Sequence, residues 1–281
     1  MTKLSVAYSP CPNDTFIFQA WALGLVSPQL PMQSHLGDIQ HLNEEAIALK
    51  HDVCKISFAN LGLLLEDYIL LPVGCALGYG CGPKIISKTP FKIQDLTNKK
   101  IAIPGNSTTA HLMLKMLCDV PLEKHFCTYD QVLSLIDDGQ VDCGIIIHET
   151  RFTFEQQGFH EIVDLGIMWE SCFSLPIPLG GIVAKRSLGI EKIAYIVQAI
   201  KDSMEFANSN TEIITPYIQK YAQELTLDVL RSHINLYVTK DSYNLSEQAI
   251  EAIKIILKQS EINQQPLPWL FNETINIFNR T

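Results

Sequence analysis

The chain has 281 residues, of which 47% are hydrophobic and 18% charged, and its formal net charge is −9. This length and composition predict a globular protein with enough apolar material for two lobes. The acidic balance argues against nucleic acid or an anionic membrane as a partner. No stretch reaches the roughly 18 apolar residues of a membrane-spanning helix, and the first residues lack a signal-peptide core, so we expect a cytoplasmic protein without a membrane partner.

The elements at the start of the chain alternate between strands and helices. A strand is predicted at 3–9, and Pro10 and Pro12 end it. Asn13 or Asp14 is the expected cap of the helix that follows, which is predicted at about 15–25. The next predicted elements are a helix at 42–50, a strand at 53–57, a helix at 59–67 and a strand at 68–73. Asn43 is a plausible cap of the helix at 42–50. This alternation favours βαβ units and a largely parallel sheet.

A second lobe is predicted after the glycine-rich segment 77–84, which we interpret as the exit from the first lobe. Its predicted elements are strands at 99–105, 125–130 and 141–149 and helices at 107–118 and 131–139. A segment that begins at Leu175 is interpreted as the return crossing. Thereafter we expect helices at 191–208, 211–224, 226–237 and 246–260, and a tail with Pro and Trp at 266–270.

The sequence therefore predicts an α/β protein in which one lobe is inserted into the other. We expect residues 1–84 and 178–281 to form a discontinuous first lobe and residues 85–177 to form the inserted lobe. Two crossings of this kind are typical of type II periplasmic-binding-protein folds, in which each lobe is a mostly parallel sheet flanked by helices. The ligand is expected in the cleft between the lobes, at the carboxyl ends of the strands.

Two candidate segments lie in the first lobe. The turn at 9–16 offers a hydroxyl, an amide and helix-start N–H groups to a ligand, although a helix cap explains Asn13 and Asp14 equally well. Ser57 ends the strand at 53–57 and is a ligand candidate. Lys55, in the same strand, is expected to extend its charged end to solvent.

Two further candidate segments lie in the second lobe. A glycine turn at Gly105 precedes a run of hydroxyl residues at 107–109, a pattern that favours an anion site at a helix start, for a carboxylate or a phosphate. His148 follows an apolar strand, and a neutral imidazole is a natural general base near neutral pH. Arg151 is expected either to bind the same ligand or to pair with a surface acid.

The cysteines and histidines do not follow the spacing of a metal site. The eight cysteines form no Cys-x-x-Cys pair, and the eight histidines form no His-Glu-x-x-His motif. We therefore expect free thiols that pack as small apolar residues, and no metal. Cys11 has no histidine near it in sequence, so it is interpreted as a packing residue.

Five words of the sequence occur in the order and spacing of a known enzyme family: SPCPNDTFIF at 9–18, KIS at 55–57, STTA at 107–110, IIHETRFT at 146–153 and PIPLGGI at 176–182. With these words the chain resembles the 1,4-dihydroxy-6-naphthoate synthases of the futalosine route to menaquinone. The resemblance extends along nearly the whole chain, and its last hundred residues match mainly in helical character.

The resemblance implies a lyase that converts cyclic dehypoxanthinylfutalosine, which bears a benzoate group, to 1,4-dihydroxy-6-naphthoate with loss of a three-carbon fragment. It implies no metal and no organic cofactor. By motif match, His148 takes the place of the proton acceptor. The segment Lys55, Ile56 and Ser57 and the pair Thr108 and Thr109 match the substrate-binding segments.

Two alternatives remain at this point. Chorismate dehydratase of the same pathway has a similar two-lobed fold, and a cytoplasmic protein that binds a small molecule without converting it also fits, since function depends on the site and not on the fold. The expected partner is a small carboxylate-bearing substrate, and we expect the chain to be a monomer or a homodimer.

Overall fold

The computed structural model describes residues 3–222, 226–259 and 268–271. Its strands are β1 (Leu4–Tyr8), β2 (Met32–Leu36), β3 (Val53–Ser57), β4 (Tyr68–Leu70), β5 (Ala76–Gly78), β6 (Lys84–Ser87), β7 (Lys100–Pro104), β8 (Glu123–Cys127), β9 (Cys143–Ile146), β10 (His160–Asp164) and β11 (Ile177–Lys185). Its α-helices are α1 (Pro12–Ala22), α2 (Ile39–Ile47), α3 (Leu61–Leu64), α4 (Thr109–Leu117), α5 (Val132–Asp137), α6 (Leu165–Phe173), α7 (Ile190–Ser209), α8 (Thr211–Tyr221), α9 (Leu227–Tyr237), α10 (Lys240–Tyr243) and α11 (Glu247–Gln259).

The strands form two sheets, one for each lobe. The first sheet has the order β2-β1-β3-β11-β4, and β5 pairs with β11. In it β1 runs parallel to β2 and β3, whereas β11 runs antiparallel to β3, β4 and β5. The second sheet has the order β10-β6-β9-β7-β8, and β7 runs parallel to β8 and β9. The two-lobed α/β fold expected from the sequence is confirmed. Both sheets are mixed and not mostly parallel as expected, because β11 in the first sheet and β6 in the second run antiparallel to all their neighbours.

The two segments that cross between the sheets lie side by side. β5 is the last strand before the second sheet and β11 is the first strand after it, and the two pair with Ile177 opposite Gly78. Gly82 and Gly166 approach each other closely beside this pair, since a Cβ on Gly82 would lie 2.5 Å from the backbone N of Gly166. The lobe boundaries at residues 84 and 178 stay a prediction, although β6 begins at Lys84 and β11 at Ile177.

Several predicted elements begin at other residues in the structure. The first helix begins at Pro12 with Cys11 at its N-cap, because proline suits the first position of a helix, so the expected cap at Asn13 or Asp14 is wrong. Helix α2 is capped by Asp38, whose side chain accepts a hydrogen bond from the N–H of Gln40, so the expected cap at Asn43 is wrong as well.

The predicted tail at 266–270 lies partly outside the described residues. In the part that is described, the N–H of Leu70 donates to the carbonyl of Trp269 at 3.0 Å, and Leu270 forms a bridge with Leu70. This segment therefore lies along β4, at the outer edge of the first sheet. No helix within the described ranges is both long enough and apolar enough to cross a membrane.

Candidate active site

A cleft lies between the two sheets, and residues from both lobes line it. Its empty volume, which includes the mouth open to solvent, is about 720 Å³. The side that belongs to the first sheet and its helices contributes Ser9, Asp14, Lys55, Ser57, His233 and Tyr237. The opposite side contributes Thr108, Thr109, His148 and Arg151. Four of the five predicted substrate-binding residues and the predicted base therefore line one cleft.

Ser57 ends β3 and is held by an asparagine that connects the two lobes. The N–H of Ser57 donates to Oδ1 of Asn43 at 2.8 Å, and Nδ2 of Asn43 lies 3.1 Å from Oγ of Ser57. The same Nδ2 donates to the carbonyl of Ser107 at 3.1 Å. Asn43 therefore ties the end of β3 to the loop that precedes α4.

Lys55 is buried and paired, so the expectation that its ammonium extends to solvent is wrong. Its Nζ lies 2.8 Å from Oδ1 of Asp14 and donates to the carbonyl of Gly74 at 3.0 Å. Asp14 also accepts hydrogen bonds from Oγ of Ser9 at 2.7 Å and from Nδ2 of Asn13 at 2.9 Å. This carboxylate, which the sequence placed at a helix cap, instead compensates the charge of Lys55.

Ile56 faces away from the cleft. Successive side chains of a strand point to opposite faces of a sheet, so Ile56 points away from the side of Lys55 and Ser57. Its side chain is fully buried in the hydrophobic core that also contains Phe58 and Leu70. Ile56 can reach a ligand only through its backbone.

Thr108 and Thr109 lie at the start of α4, where the sequence places an anion site. Thr108 is the N-cap residue, and its Oγ1 accepts a hydrogen bond from the N–H of His111 and donates one to the carbonyl of Gly105. Oγ1 of Thr109 donates to the carbonyl of Leu179 at 2.7 Å. The hydroxyl hydrogens are thus used within the protein, whereas the N–H groups of Thr109 and Ala110 belong to a first helical turn that has no intrahelical acceptors.

His148 lies just beyond β9 on the cleft wall. Its φ of 59° is in the left-handed region, which residues other than glycine rarely adopt. The edge of its ring packs against Tyr129, with the ring centroids 4.9 Å apart. Its Nδ1 lies 3.0 Å from Sγ of Cys11, so the structure brings together two residues that are far apart in sequence. Cys11 is therefore more than the packing residue that the sequence suggested.

Arg151 pairs with a buried acid and not with a surface one. Its Nη2 donates to Oδ2 of Asp164 at 3.2 Å, and its Nη1 donates to the carbonyl of Gly82 at 2.8 Å and to the hydroxyl of Tyr237 at 3.1 Å. Burial raises the pKa of Asp164, an effect that the nearby charge of Arg151 opposes. Burial also raises the pKa of Tyr237 to about 12, so this phenol stays neutral.

His233, on α9, is a cleft residue that the sequence analysis missed. It is 1% exposed, and its Nε2 lies 2.9 Å from Oδ1 of Asn13. Burial lowers the pKa of His233 well below its ordinary value, and His148 and Arg151 lower it further. The imidazole is therefore neutral at pH 7. No local signal marks this histidine, because its partner lies 220 residues away in a different element.

The described parts of the chain contain no group of three or more His, Cys, Asp and Glu side chains arranged to hold a metal ion. None of the eight cysteines, which all lie in the described ranges, forms a disulfide, and six of them are buried. The two cations closest to the cleft, Lys55 and Arg151, are each paired with a carboxylate. Any anion in the cleft must therefore be bound mainly by neutral donors.

A family model described as menaquinone biosynthesis matches residues 4–261. A protein of Streptomyces coelicolor named 1,4-dihydroxy-6-naphthoate synthase is 37% identical over 262 residues, which cover 92% of each chain. A Thermus thermophilus protein of the same name is 36% identical over 263 residues, which cover 93% of this chain and 95% of that protein.

Two solved structures show the same fold. A protein from Archaeoglobus fulgidus superposes with a TM-score of 0.87 at 31% identity, over 92% of this chain and 97% of its own. The alkanesulfonate-binding protein of Xanthomonas axonopodis superposes with a TM-score of 0.71 at 14% identity, over 96% of this chain and 98% of its own. The second likeness concerns the fold alone, which is that of the periplasmic binding proteins.

Proposed function

This chain belongs to the menaquinone biosynthesis family, and from that premise we propose that it is a 1,4-dihydroxy-6-naphthoate synthase with His148 as its proton acceptor. The substrate is cyclic dehypoxanthinylfutalosine, and the products are 1,4-dihydroxy-6-naphthoate and a three-carbon fragment. The observation that carries the assignment of the base is the position of His148, which lines the cleft opposite Ser57. The enzyme works in the cytoplasm as a monomer or a homodimer.

Substrate binding is assigned to Lys55, Ile56, Ser57, Thr108 and Thr109. Thr108 acts by capping the start of α4. Ser57 contacts the substrate through its hydroxyl, and the start of α4 binds the substrate carboxylate through the N–H groups of Thr109 and Ala110. Unpaired N–H groups and the helix dipole both favour an anion at this end of a helix. Lys55 acts through Asp14, which it holds in the cleft wall, and Ile56 contributes its backbone.

The chemistry needs one base and a shielded site. His148 removes a proton from the substrate, and the resulting anion expels the three-carbon fragment as the ring becomes aromatic. A positioned general base contributes about 10²- to 10⁴-fold to the rate. The inserted lobe, residues 85–177, closes on the first lobe and thereby positions the substrate and excludes water.

The test is a product assay by mass spectrometry. Purified protein and its His148→Ala variant are each incubated with cyclic dehypoxanthinylfutalosine, and formation of dihydroxynaphthoate is followed over time. We expect product from the wild type and a loss of about 100-fold or more in the variant. The matched control is His160→Ala, which removes an exposed histidine from the edge strand β10 and is expected to keep full activity.

Chorismate serves as the control substrate. Conversion of chorismate by the wild type would assign the chain to the dehydratase of the same pathway. Binding of cyclic dehypoxanthinylfutalosine without conversion would make the chain a binding protein and would refute the role of His148.

A further inference from the structure

Cys11 and His148 come from different lobes and meet beside the cleft. Cys11 precedes α1, which packs on the first sheet, whereas His148 follows β9 of the second sheet. Sγ of Cys11 lies 3.0 Å from Nδ1 of His148. His148 lines the cleft, and Cys11, 3% exposed, is not among the lining residues. Any effect of the thiol on a ligand in the cleft is therefore transmitted through the imidazole.

The backbone of Cys11 is fixed. The residue lies between Pro10 and Pro12, and its carbonyl accepts hydrogen bonds from the N–H and the hydroxyl of Thr15, both at 2.9 Å. It occupies the N-cap position of α1, where Ser, Thr, Asp or Asn is the usual residue, yet it makes no capping hydrogen bond with its side chain. The sulfur instead faces the histidine.

His148 is fixed as well. Its left-handed backbone conformation costs free energy, and such conformations persist where the surrounding structure holds them, often at functional sites. The edge of its ring contacts Tyr129, which limits the orientations that the ring can take. The geometry of the thiol and the imidazole is therefore set from both sides.

The direction of the hydrogen bond decides whether His148 can act as a base through Nε2. If Nδ1 carries the hydrogen and donates it to sulfur, the lone pair of Nε2 is available for a proton. If the thiol donates to Nδ1, a neutral ring carries its hydrogen on Nε2, which then cannot accept a proton. Sγ lies at the positive end of a helix of 11 residues, which stabilises electron density on sulfur and favours its role as the acceptor.

We propose that Cys11 is a positioning residue, whose sulfur accepts the Nδ1–H of His148 and so keeps the lone pair of Nε2 available for the substrate proton. The proposal rests on the proposed function of His148 as the proton acceptor. Because the two residues belong to different lobes, the contact forms when the lobes close. Closure therefore selects the tautomer that the reaction needs.

The kinetic test compares Cys11→Ala with Cys11→Ser. The alanine variant lacks the acceptor, and we expect its kcat to be about 10-fold lower, because the imidazole of His148 loses a hydrogen bond that it needs when it becomes charged. We expect KM to stay within about twofold of the wild-type value. The serine hydroxyl accepts the same hydrogen, so Cys11→Ser keeps kcat within about threefold of wild type. The matched control is Cys143→Ala, which removes a buried thiol from β9 and leaves kcat unchanged.

The direct test is ¹⁵N NMR of the histidine rings at a pH where His148 is neutral, with His148→Gln used to assign its signals. The wild type carries the hydrogen on Nδ1 of His148, and Cys11→Ala shifts it towards Nε2. A wild-type ring with its hydrogen on Nε2 would overturn the proposal, as would a Cys11→Ala variant with unchanged kcat.

The proposed function and the proposed role of Cys11 can be refuted separately. If the wild-type protein forms no dihydroxynaphthoate, the proposed function falls, whereas the tautomer measurement still tests the contact. If Cys11→Ala does not fold, Cys11→Ser and the wild-type spectrum decide. A serine variant that folds but loses kcat as completely as His148→Ala would contradict the proposal.

Discussion

Lys55 and Asp14 form an ion pair that is almost wholly removed from water, since their side chains are 4% and 3% exposed. Removal of one partner leaves an uncompensated buried charge, which costs about 3–5 kcal/mol. We therefore expect Lys55→Met and Asp14→Asn each to lower the free energy of unfolding by about this amount. The double variant is expected to lose less than the sum of the two, and urea unfolding of all four proteins measures the difference.

Strict additivity in that cycle would show that the two charges do not interact. A matched control is Lys88→Met, because Lys88 is paired with Asp137 on the surface, where an ion pair contributes at most about 1 kcal/mol.

The sequence predicts which residues line the cleft where each of them follows a strand. Ser57, Thr108 and His148 lie at or just beyond the ends of β3, β7 and β9, so the fold alone brings them to one cleft. The partners of Lys55 and His148 could not be predicted in this way. Cys11 lies 137 residues from His148, and no local pattern encodes a contact over that distance.

At the scale of single elements, α4 depends on its cap. Oγ1 of Thr108 accepts a hydrogen bond from the N–H of His111 at 3.2 Å, and loss of an N-cap hydroxyl costs about 1 kcal/mol. We expect Thr108→Ala to lower the free energy of unfolding by this amount and Thr108→Ser to restore most of it. Urea unfolding checks the prediction, and an alanine variant as stable as the serine variant would contradict it.

The sequence predicted the buried strands β3 and β7 and the edge strand β8, expected at 125–130, whereas it missed the edge strands β2 and β10 and the buried strand β6. The central strands β3 and β7 are buried and lie close to their predicted positions at 53–57 and 99–105. The edge strands β2 and β10, with the sequences MQSHL and HEIVD, are half exposed and rich in polar residues, and the sequence analysis missed both. A strand that is covered on one side only carries a weaker hydrophobic signal.

The predicted helix boundaries differ from the observed ones where a proline or a cap residue was wrongly interpreted. The first helix was predicted at 15–25 and occurs at Pro12–Ala22, because Pro12 begins the helix and does not only end the strand. The helix predicted at 42–50 occurs at Ile39–Ile47. The long helix predicted at 191–208 occurs at Ile190–Ser209, one residue longer at each end.

At the scale of the whole molecule, stability depends on pH through His233, which faces His148, Arg151 and Tyr237. In the folded state its pKa lies well below the ordinary value, so the folded protein binds no proton there when the unfolded chain does. As the pH falls below about 6.5, the free energy of unfolding therefore decreases, by up to about 1.4 kcal/mol per pH unit from this group. Above that pH both states are neutral and the contribution vanishes.

Urea unfolding between about pH 7.5 and pH 5 measures this dependence in the wild type and in His233→Gln. The glutamine cannot titrate, and its amide can still donate to Asn13, so the variant is expected to lose less stability than the wild type as the pH falls. Equal slopes in the two proteins would show that His233 does not carry the effect. The difference between the two proteins in the free energy of unfolding at each pH excludes the contribution of Asp164, because Asp164 is present in both.

The position of β11 has a consequence for the order in which the newly made chain folds. β11 lies between β3 and β4 in the first sheet, although it is synthesised after every strand of the second sheet. The second sheet is encoded without interruption from Lys84 to Asp164, so it can form on the ribosome while β3 is paired only with β1 and its other edge is still open. An unpaired strand edge invites association with other chains. β3 and β4, although translated early, therefore complete their pairing only after β11 has been made.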